Sequence, residues 1–319
     1  MGRFRRLAGG VLLLLLLLAG LLAYTFLPKT LQPDPGTVDG IGRGRRAALE
    51  LPEVMVSIVK AGKMPASQAF SYRGGSWSAD YENGMIAVLV RHPAATFILD
   101  TGFGSRVDDH WKTIPALMRA LSTFHKETTL KEQLAANGIA PAQLKMALIT
   151  HSHWDHISGL EDFPGLEVWM PQEELDFIRS GRYPGLADQM IDHLKVRTFE
   201  FRPEPYENFN ASFDLFGDRS VVIVPLPGHT PGSLGMFVNL RSGKRYFFIG
   251  DLTWSQEGID LPAERPWIAR KLVDMDEAQV RTVIGRVHAL KAADPALIVV
   301  PAHDRRLHDR LPSFPNWLD

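Results

Sequence analysis

Between Ile149 and Gly159 the chain reads ITHSHWDHISG, which packs three of its eleven histidines and one aspartate into positions 151–156. Imidazole and carboxylate are the donors that zinc, iron and manganese accept. His151 and His153 follow the apolar run MALIT. Two positions apart on an extended chain, their side chains leave the same face, so one ion can take both. Asp155 and His156 come as the chain turns toward Gly159 and can face a second position beside the first. Three more candidates stand at the ends of strand-like runs: His229 in PLPGHTPGS after VVIV, Asp251 closing YFFIGD, and His303 after LIVVPA. Each alone reads as a turn residue, a helix cap or a surface histidine, but their shared placement favours one rigid site built from strand ends. The histidines at 92, 110, 125, 193, 288 and 308 lack that context and read as structural or solvated.

Elements able to carry such a site are legible around it. Short runs rich in branched residues, VMVSIV at 54–59, MIAVLV at 85–90, TFILD at 96–100, KMALIT at 145–150 and LEVWM at 166–170, have the length and composition of strands. A second series follows at 220–226, 234–240, 245–251 and 296–302, so two sheets are expected. Helices fill the gaps. TTLKEQLAANG has a threonine cap and a glycine stop, PQEELDFIRSG runs from Pro171 to Gly181, and Val280, Val283, Ile284, Val287 and Leu290 share one face of a long amphipathic helix. Residues 104–127 read either as an insertion that roofs a site or as ordinary helical packing.

The rest of the composition narrows the function. With 35 basic and 36 acidic residues, nothing in the charge favours a nucleic-acid partner. The absence of cysteine removes thiolate ligands, disulfides and a cysteine nucleophile. Arg3, Arg5 and Arg6 precede the uncharged run Leu7–Leu27, long enough at about 1.5 Å per residue to cross a hydrocarbon core of roughly 30 Å. Residues 1–28 are therefore expected to be a membrane-spanning anchor, or a signal sequence cleaved after Ala23, and 29–50 a linker. A single folded domain is expected over 51–319. Lys29, Arg43, Arg45 and Arg46 beyond the span offset the arginines before it; the domain is expected outside the cytoplasm, on the periplasmic side, or secreted if the segment is cleaved. Oligomeric state stays open.

In LDTG at 99–102, THSHWDH at 150–156, PGHTPGS at 227–233, GD at 250–251 and AH at 302–303, the chain resembles the metallo-beta-lactamase superfamily over roughly residues 51–310. The resemblance implies an α/β protein folded as a four-layered αβ/βα sandwich with metals at one edge. Carried onto these positions, it implies that His151, His153 and His229 hold one metal, that Asp155, His156 and His303 hold another, and that Asp251 bridges them. Asp100 would support the ligands without binding metal. Two divalent ions are expected, Zn2+ first, with iron or manganese as alternatives. Such a pair supplies a bridging hydroxide near neutral pH, which makes hydrolysis the expected reaction. Asp155 is placed to orient it and to pass a proton to the leaving group.

Departures from family patterns sort the substrates. Asp251 stands where one beta-lactamase subclass has cysteine, and His153 where diiron flavoprotein relatives have glutamate; both redirect the reading toward lactonases, glyoxalase II thioesterases and phosphodiesterases. The motifs look most similar to the quorum-quenching N-acyl homoserine lactonases, so a small ester or lactone is the expected substrate. Those lactonases usually carry a tyrosine three residues after the bridging aspartate, where this chain has Trp254. An indole donates only through its N–H and cannot act as a phenolic acid. Trp254, Phe103 and Trp111 are candidates for an apolar substrate wall. A thioesterase or phosphodiesterase would want cations near the site, and Arg305, Arg306 and Arg310 are the nearest offer. From another class, the chain could be a catalytically inert, membrane-tethered binding protein, a reading opposed by seven intact ligand positions.

Overall fold

The computed structural model describes residues 2–32 and 51–319. Seven strands form the first sheet: β1 Met55–Ala66, β2 Tyr81–His92, β3 Ala95–Leu99, β4 His125–Lys126, β5 Leu144–Leu148, β6 Glu167–Pro171 and β7 Lys195–Phe199. Their spatial order is β4-β1-β2-β3-β5-β6-β7. The second sheet holds β8 Phe213–Asp214, β9 Val221–Pro225, β10 Leu234–Asn239, β11 Arg245–Phe248 and β12 Leu297–Val300, in the order β12-β11-β10-β9-β8. All nine strand-like runs fall in strands. β1 and β2 extend well past the expected limits because their antiparallel pairing continues through a register shift between Lys60 and Gly62.

Period-2 alternation sets which side of each strand is buried where. Ile223, Met236, Val238, Tyr246 and Phe248 share one core with Val56, Ile58, Val88, Val90, Phe97, Leu99 and Leu148, so the two sheets pack face to face. Their neighbours Val222, Val224, Phe237 and Phe247 point the other way, onto Val280, Val283, Ile284, Val287 and Leu290 of the helix Glu277–Ala293. On the outer face of the first sheet, Leu89, Ile98, Ala147, Val168 and Met170 pack against Leu130, Leu134, Leu175 and Ile178 from the helices Leu130–Ala136 and Gln172–Arg179. The layers are helix, sheet, sheet, helix, as the resemblance implies. The helix signals hold: Thr129 and Glu132 form a reciprocal capping box, and Asp276 caps the long helix.

Parallel pairing of β3 with β5, and of β11 with β12, brings their carboxyl ends to one edge. β9 and β11 both run antiparallel to β10 and so point the same way. The loops after β3, β5, β9, β11 and β12 thus converge. A Leu234 N–H donating to Thr150 O at 3.0 Å ties the two sheets together there.

Helix α1, Gly2–Tyr24, is apolar, and its window Leu7–Tyr24 lies wholly exposed. Of the linker expected over 29–50, residues 33–50 lie outside the described residues. Within its described part, Leu31 is buried and donates its N–H to Pro262 O at 2.8 Å.

Candidate metal centre

The loops at the converging strand ends bring all seven expected donors together. One ligand atom each from His151, His153 and His229 fall within 4.8 Å of one another; so do those of His151, His156 and Asp251, and those of Asp155, His156 and His303. Asp251 reaches both sides. Its Oδ1 stands 3.2 Å from His156 Nε2 and 2.9 Å from His303 Nε2, while its Oδ2 stands 3.6 Å from His229 Nε2. Six of the seven side chains are buried; Asp155 is half-buried at the rim.

What lies behind four of the five imidazoles decides which nitrogen faces inward, while His153 turns its Nδ1 toward His229 Nε2 at 2.9 Å. His156 Nδ1 is 2.8 Å from Asp100 Oδ2, His229 Nδ1 is 2.9 Å from Asp274 Oδ1, and His303 Nδ1 is 2.9 Å from Gly84 O. An acceptor behind Nδ1 keeps the proton there and leaves the Nε2 lone pair for a metal. Thr150 serves His151 the same way. Its hydroxyl donates to Asp100 Oδ2 at 2.8 Å, so its oxygen accepts from His151 Nδ1 at 3.1 Å. The Thr150 N–H also donates to Asp100 Oδ1 at 2.7 Å. Asp100 holds this position at a φ of 55°, a left-handed conformation that aspartate tolerates better than most residues.

Protonation fits a cation. Burial, reinforced by the other histidines, pushes His151 and His153 well below the ordinary histidine value, so both are neutral donors. Burial alone would lower His156 and His303 too. Around His156, however, Asp100, Asp251 and Asp155 outweigh burial and hold its proton, and Asp251 and Asp155 do so at His303. The carboxylates thus call for positive charge, which divalent ions would supply on displacing those protons. Among the described residues, His151 Nε2 is buried without a hydrogen-bond partner, and His153 turns its Nδ1 to within 2.9 Å of His229 Nε2. Buried polar atoms ordinarily find partners, so an unpaired nitrogen beside two imidazole nitrogens that face each other fits a metal site.

Residues that the sequence did not single out hold the ligand loops. Glu174, fully buried on the helix Gln172–Arg179, accepts from Ser152 N at 2.7 Å, from Thr230 Oγ1 at 2.6 Å and from Gly232 N at 3.1 Å. It thereby ties the 151–153 loop to the loop after His229. Burial raises its pKa, against the pull of these same donors. Arg265 bonds Asp274 and donates from Nη1 to Asp251 O at 2.9 Å.

The three aromatic candidates part company. Trp254 is at the centre, but its indole N–H donates to Asp251 Oδ2 at 2.8 Å and its ring lies 4.9 Å from the Arg265 guanidinium. Phe103 is fully buried against Phe124 and Trp154, in the core and away from any open wall. Trp111 packs on Trp154 at 5.4 Å. The cleft beside His153 is lined instead by Ile114, Pro115, Trp154, Phe177, Tyr183 and Leu186. Residues 104–127 therefore do contribute to its roof, through Thr113–Pro115. The Tyr183 ring lies 4.8 Å from that of His153 at a tilt of 41°, and burial together with Asp155 pushes its hydroxyl up to about 12. The set-aside histidines are structural where buried: His92 pairs with Asp218, His110 with Ser158 and Glu161, and His308 with Pro301 O.

A two-sheet sandwich with a histidine and aspartate cluster at the strand ends defines a metal-dependent hydrolase of the αβ/βα type. The sequence profile of the metallo-beta-lactamase superfamily matches residues 87–303, and the chain belongs to that superfamily. A Mycobacterium tuberculosis protein named as a probable metallo-hydrolase is 27% identical over 240 residues, 69% of this chain and 74% of that one. The N-acyl homoserine lactonase AttM of Agrobacterium fabrum is 26% identical over 183 residues, 52% of this chain and 64% of that lactonase. Among solved structures, an N-acyl homoserine lactone hydrolase with N-hexanoyl-L-homoserine bound at its catalytic metal centre superposes at TM-score 0.67 and 14% identity. That match covers 84% of this chain and 100% of the other. AidC, a dizinc quorum-quenching lactonase, superposes at TM-score 0.51 and 16% identity, covering 84% and 90%. At these identities the structural likeness is one of fold.

Proposed function

We propose that this chain is a dinuclear metal hydrolase that opens the carbonyl of a small ester or lactone, anchored by α1 with its catalytic domain outside the cytoplasm. The observation that carries the reading is the convergence of seven donors into two groups spanned by Asp251. His151, His153 and His229 would hold one ion, Asp155, His156 and His303 the other, and Asp251 both, with Zn2+ the first candidate and iron or manganese after it. Bound there, two divalent ions acidify water to a nucleophile near neutral pH and polarise a carbonyl oxygen.

The protein's own groups do the remaining work. Asp155, at the rim and 3.4 Å from His303 Nε2, can orient a water and receive its proton. As the C–O bond of the ester breaks, the same carboxyl returns the proton to the departing alkoxide, and the product is a hydroxy acid or an acid and alcohol. Tyr183 stays a neutral phenol at ordinary pH and faces the cleft beside His153, where its hydroxyl can donate to the substrate's carbonyl oxygen. The lining of Ile114, Pro115, Trp154, Phe177 and Leu186 is apolar, as an acyl chain would require, and with about 20 Å³ free these side chains would have to move apart to admit one.

The thioesterase and phosphodiesterase alternatives would need cations to spare. Arg305 is taken by Glu127 and Asp309, and Arg306 by Glu257 and Asp304, which favours the uncharged ester. The test is turnover of lactones, thioesters and phosphodiesters by metal-loaded protein, against an Asp155→Ala control. Lactone or ester hydrolysis that falls in the control supports the reading. Turnover of thioesters alone would sink it, and fewer than two ions held per chain with no turnover would leave the binding protein.

A further inference from the structure

The end of α1 is received by the folded domain in a way that an anchor on a loose tether would not need. The last carbonyls of a helix have no intrahelical partner, and in a low-dielectric setting each must find a donor. Here the turn after α1 serves the carbonyls of Leu22, Ala23 and Tyr24, and the domain adds a donor to Tyr24 and takes the next free carbonyls, of Phe26 and Leu27. Arg73 donates from Nε to Leu27 O at 3.0 Å and from Nη2 to Tyr24 O at 3.0 Å, while the Gly74 N–H donates to Phe26 O at 2.8 Å. Arg73 is buried and held in place: its own N–H donates to Glu264 O, and its guanidinium lies 3.7 Å from the buried Glu264 carboxylate. Gly74 has a φ of 98°, and a Cβ there would come within 3.0 Å of Pro28, so the chain leaving the helix passes close against it.

Beside this seat stands an aromatic group with no role in the metal centre. Phe26, just after α1, packs on Phe70 at 5.4 Å and on Trp77 at 4.8 Å, and Phe70 packs on Trp77 at 5.6 Å. Trp77 is 62% exposed and Phe70 37%. Tryptophan with an apolar body and a single N–H is the residue that settles at the boundary of lipid headgroups and acyl chains. The cluster sits where an apolar, fully exposed 18-residue window ends, which is the level of that boundary if the window crosses a bilayer.

We infer that α1 is seated on the domain by Arg73 and Gly74, and that the surface of Phe26, Phe70 and Trp77 lies in the lipid interface. The occupant of this surface is a phospholipid bilayer, and the inference rests on α1 being the membrane anchor proposed above. It gives the domain a fixed attitude. Tyr81, at the far end of the same segment, donates its hydroxyl to Trp254 O at 3.1 Å, so the membrane-facing segment and the metal centre share a direct link.

The test uses the full chain reconstituted in phosphatidylcholine vesicles whose lipids are brominated near the headgroup end of the acyl chains, with tryptophan emission and flotation as readouts. Trp77→Phe, an exposed conservative change, isolates one of the seven tryptophans. The expected result is that both proteins float with the vesicles and that the variant loses most of the bromine quenching seen in the wild type. Failure of the wild type to float overturns the anchor and this inference together. Flotation with equal quenching in the two proteins overturns the interfacial surface alone, and so would emission unaffected by bromine, which would leave another protein as what covers the cluster.

Discussion

Replacing Glu174 by alanine tests whether the ligand loops are held from behind. The carboxylate is fully buried and serves three donors. Thr230 Oγ1 lies 2.8 Å from Ser233 Oγ and can turn to it, but the N–H groups of Ser152 and Gly232 would lose their acceptor. Each buried donor left unpaired costs about 1–3 kcal/mol, so the variant should lose roughly 2–6 kcal/mol. A water filling the vacated space would bring the loss to the lower end. Ser152 lies between His151 and His153, and Gly232 follows His229, so loosening both should also weaken metal binding by roughly 10–100-fold. Urea unfolding gives the first quantity and competition with a chromogenic chelator, below the onset of unfolding, gives the second. Leu134→Ala is the control, because it opens a cavity of about 2–5 kcal/mol in the outer core without touching a ligand loop. Equal metal affinity in the two variants would refute the reasoning, whatever the stability loss.

Gly84→Ala should weaken metal binding, since a Cβ there would stand 2.6 Å from His308 Nδ1 and the strand would move the carbonyl that accepts from His303; unchanged chelator competition would exclude this. Trp254→Phe removes the N–H donated to Asp251 Oδ2, and at about 1.5–3 kcal/mol for a bond to a charged group the affinity should fall roughly tenfold or more by the same assay. His308 is neutral and buried, with burial pushing its pKa down to about 4. The unfolded chain takes up a proton below about 6.5 and the folded chain does not, so stability is complete above that pH and falls as pH drops toward 4, by at most about 1.4 kcal/mol per unit. In His308→Gln, which can still donate to Pro301 O, that part of the acid slope should vanish in urea melts from pH 7 to 4; an unchanged slope would count against the assignment. Removal of residues 1–23 should release the chain from vesicles while leaving turnover of a short, water-soluble lactone intact, as measured by sedimentation and by acid release.

How much was legible in advance follows from the range of the interactions involved. The seven donors were visible because ligand chemistry restricts residue type and because strand ends are visible as ends of apolar runs. Their supports were not. Glu174 lies 22 positions from Ser152 and 56 from Thr230, and in sequence it is an ordinary acid in the first turn of a helix. Asp274 likewise meets His229 only across 45 positions, and Gly84 contributes a carbonyl, which no side chain announces. The strands overlooked are those with least apolar signal: β4 and β8 are two residues each, and β7 reads KVRTF with alternating exposure.

Aromatic roles were equally invisible by type, and Trp254 carries the largest consequence. The resemblance to the lactonases implies a tyrosine in that position, whose hydroxyl would contact the substrate. Here the indole has one donor, and Asp251 takes it. The ring is further fixed by Arg265 on one side and by the Tyr81 hydroxyl on its own carbonyl. On the proposed reading a donor to the substrate has to come from elsewhere, and Tyr183 is a neutral phenol in the cleft, its ring 4.8 Å from that of His153. A single departure from the family pattern thus moves the expected contact from the loop after Asp251 to the segment following the helix Gln172–Arg179. On the proposed ester or lactone reading, the cleft around Tyr183, Ile114 and Phe177, and not the loop after Asp251, is then where the substrate would be met.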